Sequence, residues 1–322
     1  MSDTSPRNHH RVCHLCEAMC GLVIQTEGDK VTDVRGDKDD PLSRGHVCPK
    51  AVALQDIHED PDRLRKPMKR VRTVPGEYQH VEIEWSEALD LAADALASTI
   101  DKQGVDAVGA YFGNPSVHNY GMLTHQRNLF RHIRTRNRFS ATSVDQLPHH
   151  LVSLWCFGHM LLHPIPDVDR THYFLMLGAN PLASNGSIWT VPDVRQRLKD
   201  LKSRGGKLVV VDPRRTETAE LASEHFFIRP GSDAALLLAM IHVLFRDDVV
   251  APGPLAAFTD GLDEVAAAVT GLTPDWAAPL TGIAADDIVR IAHELAEAEA
   301  GICYGRMGVS TQAYGALCQW AI

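Results

Sequence analysis

Cys13, Cys16, Cys20 and Cys48, four of the seven cysteines, stand in the pattern Cys-x2-Cys-x3-Cys-x27-Cys. Three thiols come from one tight loop, and the fourth from a distant turn just ahead of Pro49. Thiolates are soft ligands that suit both iron–sulfur clusters and zinc. Structural zinc sites usually pair two short knuckles, whereas one three-cysteine loop with a lone partner is closer to the cradle of a 4Fe-4S cluster. Zinc and four unligated thiols are the alternatives. His14, inside the knuckle, reads as a packed neighbour rather than a ligand. Lys50, two residues after Cys48, is either an exposed lysine or a charge that stabilises the reduced cluster and links it to a second cofactor.

These residues sit in a chain of 322 residues, 44% of them apolar and 23% charged, enough for a large core and for two domains or slightly more. The formal charge of −9 argues against a general phosphate-backbone binder, so nucleic acid is not an expected partner. No apolar leader, paired-arginine signal or membrane-length apolar run is present. An odd cysteine count, clustered early, does not fit uniform disulfide stapling, and the expected location is the cytoplasm.

Residues 1–11 are polar and expected to fray, with His9-His10 as surface decoration. Leu22 and Ile24, then Val31 and Val34, flank Glu27-Gly28-Asp29-Lys30 as a hairpin in a small, β-poor first domain. Residues 60–75, basic and proline-containing, read as a solvated connector, some of whose cations could instead meet an anionic cofactor. Ser86 is expected to cap a helix carrying Leu89, Ala92, Leu96 and Ile100, ended by Gly104 and followed by an extended run to Phe112. The alternation then repeats: strand Tyr173 to Leu177, helix Pro192 to Ser203, strand Leu208 to Val211, strand Phe226 to Ile228 and helix Ala234 to Phe245. A helix through Ile288, Ile291, Ala292 and Leu295 leads to strand Ile302 to Tyr304. Such order predicts an α/β fold with a parallel, doubly wound sheet. The expected domains are 1–60 for the cluster, 61–139 for a first α/β segment and 140–322 for a second, dinucleotide-binding one. Ala313 to Ile322 looks like an amphipathic helix that stops in mid-pattern, so the chain is expected to be cut short.

The turns after these strands carry a second chemistry. Gly178-Ala179-Asn180-Pro181 would let a dinucleotide approach the backbone at the carboxyl edge of the sheet, with Ser184 and Asn185 available to phosphate or ribose. Asp212 could accept two hydrogen bonds from an amino-imino edge such as guanine or from ribose hydroxyls, with Pro213, Arg215 and Thr216 beside it. Gly231 and Asp233 would complete the pocket. Each turn alone is explained as an ordinary strand-to-helix connection; together they favour a nucleotide pocket.

The cysteine run with Cys48-Pro49-Lys50, Leu177-Gly178-Ala179-Asn180-Pro181, Val211-Asp212-Pro213-Arg214-Arg215-Thr216, Pro230-Gly231-Ser232-Asp233 and Gly305-Arg306-Met307-Gly308 resembles the molybdopterin oxidoreductases. The resemblance spans Cys13 to the last residue, with the motifs in the family's order. It implies a small iron–sulfur domain followed by Rossmann-like α/β domains, with a further C-terminal part of the family fold missing, so that the fragment alone is expected to be inactive. It implies a 4Fe-4S cluster on Cys13, Cys16, Cys20 and Cys48 and molybdenum or tungsten between two pyranopterin guanine dinucleotides. Gly178, Asn180, Pro181, Asn185, Asp212, Pro213, Arg215, Thr216, Gly231, Asp233, Met307 and Gly308 would then be cofactor-binding residues.

In that family the protein ligand to the metal lies some thirty-odd residues before the Gly-x-Asn-Pro turn. Asp145, 33 positions before Gly178, matches the place best; Ser143 is the second candidate and Cys156 a distant third, read as core. Formate dehydrogenases of the family carry cysteine or selenocysteine there, usually followed by histidine, whereas here Gln146 follows Asp145, which tells against formate and leaves the substrate open. His149, His150, His159 and His163 read as surface or packing residues, and Cys303 and Cys318 as small buried apolar ones. The implied function is oxidation or reduction of a small substrate at the metal, with electrons passing through the cluster to an electron-transfer protein or subunit. Catalysis would rest on Asp145 and Lys50. The alternatives are an iron–sulfur scaffold subunit of the same fold without a working pterin site, or a zinc-containing α/β binding protein.

Overall fold

The computed structural model describes residues 5–113 and 115–322 and divides into two compact units, Met1–Ala141 and Thr142–Ile322. The first unit opens with an antiparallel sheet of β1 (Arg7–Val12), β2 (Gly21–Glu27) and β3 (Lys30–Gly36), in that order. The expected fraying is therefore wrong from Arg7 onward: alternate polar residues can still pair, and β1 runs in register from Arg7 opposite Thr26 to Val12 opposite Gly21. His9 and His10 bond Thr26 (3.1 Å) and Asp37 (2.8 Å). The β2–β3 hairpin falls where expected, with the positive φ of its turn taken by Gly28.

Part of the basic connector is also a hairpin: β4 (Met68–Arg72) pairs antiparallel with β5 (Tyr78–Glu82). Met68 and Val71, three residues apart, fall on opposite faces of β4, so no apolar alternation marks the strand in the sequence and its pairing comes from β5. Helix Trp85–Gln103 follows, starting one residue before Ser86, which is not its cap, and stopping at Gly104. Short parallel strands β6 (Ala110–Phe112) and β7 (Arg138–Ser140) flank helix Tyr120–Ile133.

The second unit is built on four parallel strands: β8 (Tyr173–Leu177), β9 (Lys207–Val211), β10 (Glu224–Phe226) and β11 (Gly301–Gly305), in the order β10-β9-β8-β11. β10 ends two residues earlier than the expected Phe226 to Ile228. All of β8 is buried, and its residues divide between two cores. Leu175 and Leu177 join Val209, Val211 and helices Asp233–Arg246 and Ala285–Glu297 on one face; Phe174 and Met176 join Val210, Trp189 and Leu198 on the other. Continuous apolar strands are what a sheet covered on both faces requires. The chain crosses over between β8 and β11, so connections leave these neighbours in opposite directions and open a crevice at their carboxyl ends. No helix of the described residues is long and apolar enough to cross a membrane.

Candidate cofactor sites

The cysteine knuckle is the loop between β1 and β2. Val12 pairs with Gly21, and the Cys13 N–H donates to the Cys20 carbonyl (2.8 Å), so Cys13, Cys16 and Cys20 share one closed turn. Asp40 and Ser43 bring in the fourth thiol's loop. The Ser43 N–H donates to Asp40 (2.7 Å), its hydroxyl bonds the same carboxylate, and its Oγ accepts from the Gly21 N–H (3.0 Å). Gly21 is required there, because a Cβ would come within 2.6 Å of Asp40. Cys48 then stands as N-cap of the short helix Pro49–Val52. Cys13, Cys20, Ala18, Leu22, Val34 and Ala51 form a small core with Cys16 against it. Burial raises the Cys13 and Cys20 thiols, Cys20 to about 11, and the neighbouring cysteines raise both further; the Lys50 charge opposes this at Cys13. A cation bound among the sulfurs would oppose this and favour their ligating thiolate forms. Among the described residues no three His, Cys, Asp or Glu side chains converge tightly enough for a single ion. Sulfurs around zinc lie roughly 3.8 Å apart, given a Zn–S bond of about 2.3 Å, while a 4Fe-4S cage spaces them more widely because each sulfur binds a different iron.

In the second unit, the crevice at the carboxyl ends of β8, β9 and β11 is a cavity of about 660 Å³. Gly178, Asn180, Asp212, Pro213, Thr216, Gly231, Asp233, Met307, Gly308 and Asp145 line it. Pro181, Asn185 and Arg215 do not; Arg215 is exposed, and Arg214 lines the cavity in its place. The wall between β8 and β11 is bare backbone. Gly178 has φ +54°, its N–H donates to Val211 (3.0 Å), its carbonyl accepts from the Gly308 N–H (2.9 Å), and a Cβ on either glycine would come within 2.8 Å of the other. Asn180 has a structural task in addition: its Oδ1 accepts from the Thr218 hydroxyl (2.8 Å) and its Nδ2 donates to Glu217 (2.7 Å), tying the turn to helix Glu217–Leu221. Thr216 caps that helix through the Ala219 N–H (3.1 Å).

Burial raises both Asp212 and Asp233 above the ordinary carboxylate range. Asp212 accepts from the Arg214 N–H (2.8 Å), and Asp233 from the Gln312 side chain (2.9 Å). Besides Asp145, the cavity thus presents the Asp212 and Asp233 carboxylates, able to accept N–H or O–H groups, together with the Arg214 guanidinium.

Arg306 is the residue sequence reasoning passed over. It is 5% exposed, and its guanidinium grips Asp145 with both arms, at 2.9 and 3.0 Å. Asp145 lies between the 3-10 turn Ala141–Val144 and helix Leu147–Phe157; Ser143 is exposed and lines no part of the cavity. His149, one helical turn on, is not a surface residue: its Nε2 donates to the Gly305 carbonyl (3.0 Å), and its Nδ1 faces the Ser310 hydroxyl (3.3 Å), which Gln319 also bonds (3.0 Å). Burial, then the Arg306 charge, then His163 push His149 down to about 4, so it is a neutral tether for the β11 end. The one signal in sequence was the Gly305-Arg306-Met307-Gly308 motif itself. Cys156 is exposed rather than core: it and Phe157 line an apolar cavity of about 320 Å³, and Trp155 beside them is exposed too. Cys318 is buried as expected, and burial lifts it and Cys303 to about 12.

Comparison with known proteins gives this geometry its context. A family model for molybdopterin oxidoreductase matches residues 63–270, and one for the molybdopterin oxidoreductase Fe4S4 domain matches residues 8–59. Formate dehydrogenase H of Escherichia coli is 29% identical over 94% of this chain and 42% of its own length. A nitrate reductase of Symbiobacterium thermophilum is 27% identical over 88% and 38%, and a probable oxidoreductase, YoaE, of Bacillus subtilis is 28% identical over 87% and 40%. The chain thus spans about 40% of the length of these curated relatives. Acetylene hydratase from Pelobacter acetylenicus superposes with a TM-score of 0.78 at 26% identity, over 97% of this chain and 42% of that one. The two matched domains imply a 4Fe-4S cluster and molybdopterin with molybdenum or tungsten. The coupled thiols and the side-chain-free crevice at Gly178 and Gly308 fit those groups. The chain belongs to the molybdopterin oxidoreductase family.

Proposed function

We propose that this chain supplies the cluster-holding and dinucleotide-holding part of a molybdenum or tungsten oxidoreductase acting on a small substrate. When bound, the metal centre would supply two-electron chemistry and the cluster an electron path to a partner protein. The observation that carries the reading is the crevice where Gly178 meets Gly308, lined by Asp145, Asp212 and Asp233, in a chain whose other unit closes a four-thiol nest.

In this reading Cys13, Cys16, Cys20 and Cys48 hold the cluster, and Lys50, whose charge reaches Cys13, steadies its reduced state. Gly178, Met307 and Gly308 give backbone access to the dinucleotide's phosphates, and Arg214 supplies charge to them. Asp212 and Asp233 accept from the base or ribose. Asp145 faces the metal, its carboxylate restrained by Arg306 and each oxygen retaining a lone pair. A second dinucleotide, the cytoplasmic location and the division into 1–60, 61–139 and 140–322 complete the proposal.

Metal and acid-labile sulfide analysis of the anaerobically purified full-length protein tests it, with a substrate screen over formate, nitrate and small oxides. Molybdenum or tungsten with iron and sulfide is expected; iron alone or zinc alone overturns the reading. In the full-length protein, an Asp145→Ala variant that keeps both cofactors is expected to be inactive, and full activity would remove Asp145 from the metal.

A further inference from the structure

The first unit carries a groove of about 460 Å³ whose floor is Leu22, Ile24, Val31 and Val34. Leu22 and Val34 also pack in the small core that holds Cys13 and Cys20, so groove and thiol nest share a wall. Helix Leu54–Glu59 closes one side with Leu54 and Ile57; Ile57 and Val12, on the opposite strand, leave much of their apolar surface in water.

The rim is cationic. Arg11 and Arg63 line it, and no aspartate or glutamate does among the described residues. Arg63 donates to His58 Nδ1 (3.0 Å), which holds its guanidinium at the rim. Arg65 donates to the His58 carbonyl (3.4 Å) and adds a further charge nearby. Glu59, the adjacent carboxylate, accepts from the Val31 N–H (3.4 Å). In a chain of net charge −9, an aliphatic groove edged by arginines is a local inversion of sign.

A concave aliphatic floor of this size, with a few convergent charges, is the general form of a small-molecule site. We propose that the groove binds an amphipathic anion: a flat apolar body laid on the Leu22–Val34 floor, with a sulfonate, phosphate or carboxylate held between Arg11 and Arg63. The floor gains by expelling water, and the arginines select charge and direction.

Equilibrium dialysis of the anaerobically purified chain tests this with two probes of the same ring skeleton, anionic 8-anilinonaphthalene-1-sulfonate and neutral N-phenyl-1-naphthylamine. The anionic probe should bind more tightly. Arg11→Gln with Arg63→Gln should weaken it about tenfold, roughly threefold for each exposed contact, and leave the neutral probe unchanged. Arg11→Lys with Arg63→Lys should recover most of the loss, and iron content, unchanged throughout, reports the fold. Competition by 1-naphthyl phosphate and 1-naphthoate then ranks phosphate against carboxylate. Equal weakening of both probes in the glutamine variant, or undiminished binding of the sulfonate, overturns the proposal.

Discussion

Replacing Gly178 by alanine probes the contact on which the dinucleotide crevice depends. The new Cβ would come within 2.8 Å of the Gly308 Cα and the Val309 nitrogen, both backbone atoms. Neither chain can simply retreat, because Gly178 donates to Val211 at 3.0 Å and accepts from Gly308 at 2.9 Å. Holding alanine at φ +54° costs about 1 kcal/mol, and overpacking adds about 1–3 kcal/mol, so a loss of about 2–4 kcal/mol is expected. Gly205→Ala is the control: its φ is +84°, nothing lies within 4 Å of its Cβ position, and only the conformational cost of about 1 kcal/mol applies. Urea titrations at neutral pH, followed by tryptophan emission, give both values, and the difference of about 1–3 kcal/mol isolates the backbone contact. If the two variants lose stability equally, the close approach of β8 and β11 does not carry the energy assigned to it.

Three further outcomes are expected. His149, held near 4 in the folded chain against 6.5 unfolded, makes the unfolded state bind more protons between those values, so stability falls as pH drops from 6.5 to 4 and levels off below. The loss should approach about 3 kcal/mol, and a His149→Gln variant should flatten that part of the urea-against-pH curve; an unchanged curve would remove His149 as its source. Thr216→Ala deletes the cap of helix Glu217–Leu221 and should cost about 1 kcal/mol in the same titration, with no loss counting against the capping assignment. Cys16→Ser should lower bound iron and acid-labile sulfide together, whereas retention of both would exclude Cys16 from the cluster.

The sequence alone was enough for the elements whose signals are local. The Cys13–Cys20 knuckle, the Gly28 hairpin and the apolar strands ending at Leu177 and Val211 follow from thiol spacing, turn chemistry and runs of buried side chains, each complete within a few residues. Elements held by distant partners were not legible. β1 is polar from Arg7 to Arg11 and is a strand because β2 supplies its hydrogen bonds, and β4, with no apolar alternation of its own, is a strand because β5 pairs with it. Cys156 looked internal by composition, yet it is exposed at the lining of an apolar cavity. The same distinction runs through the candidate sites. Glycine and aspartate at strand ends announced a crevice, but the strand order β10-β9-β8-β11 decided which ends meet, bringing residues 178 and 308 into backbone contact. Asp145 was visible by its position, while Arg306, 161 residues away, became its partner only through the crossover to β11. Periodicity and spacing report what a residue does with its neighbours in the chain; charge pairing and backbone contact across a sheet depend on topology, which no local pattern contains.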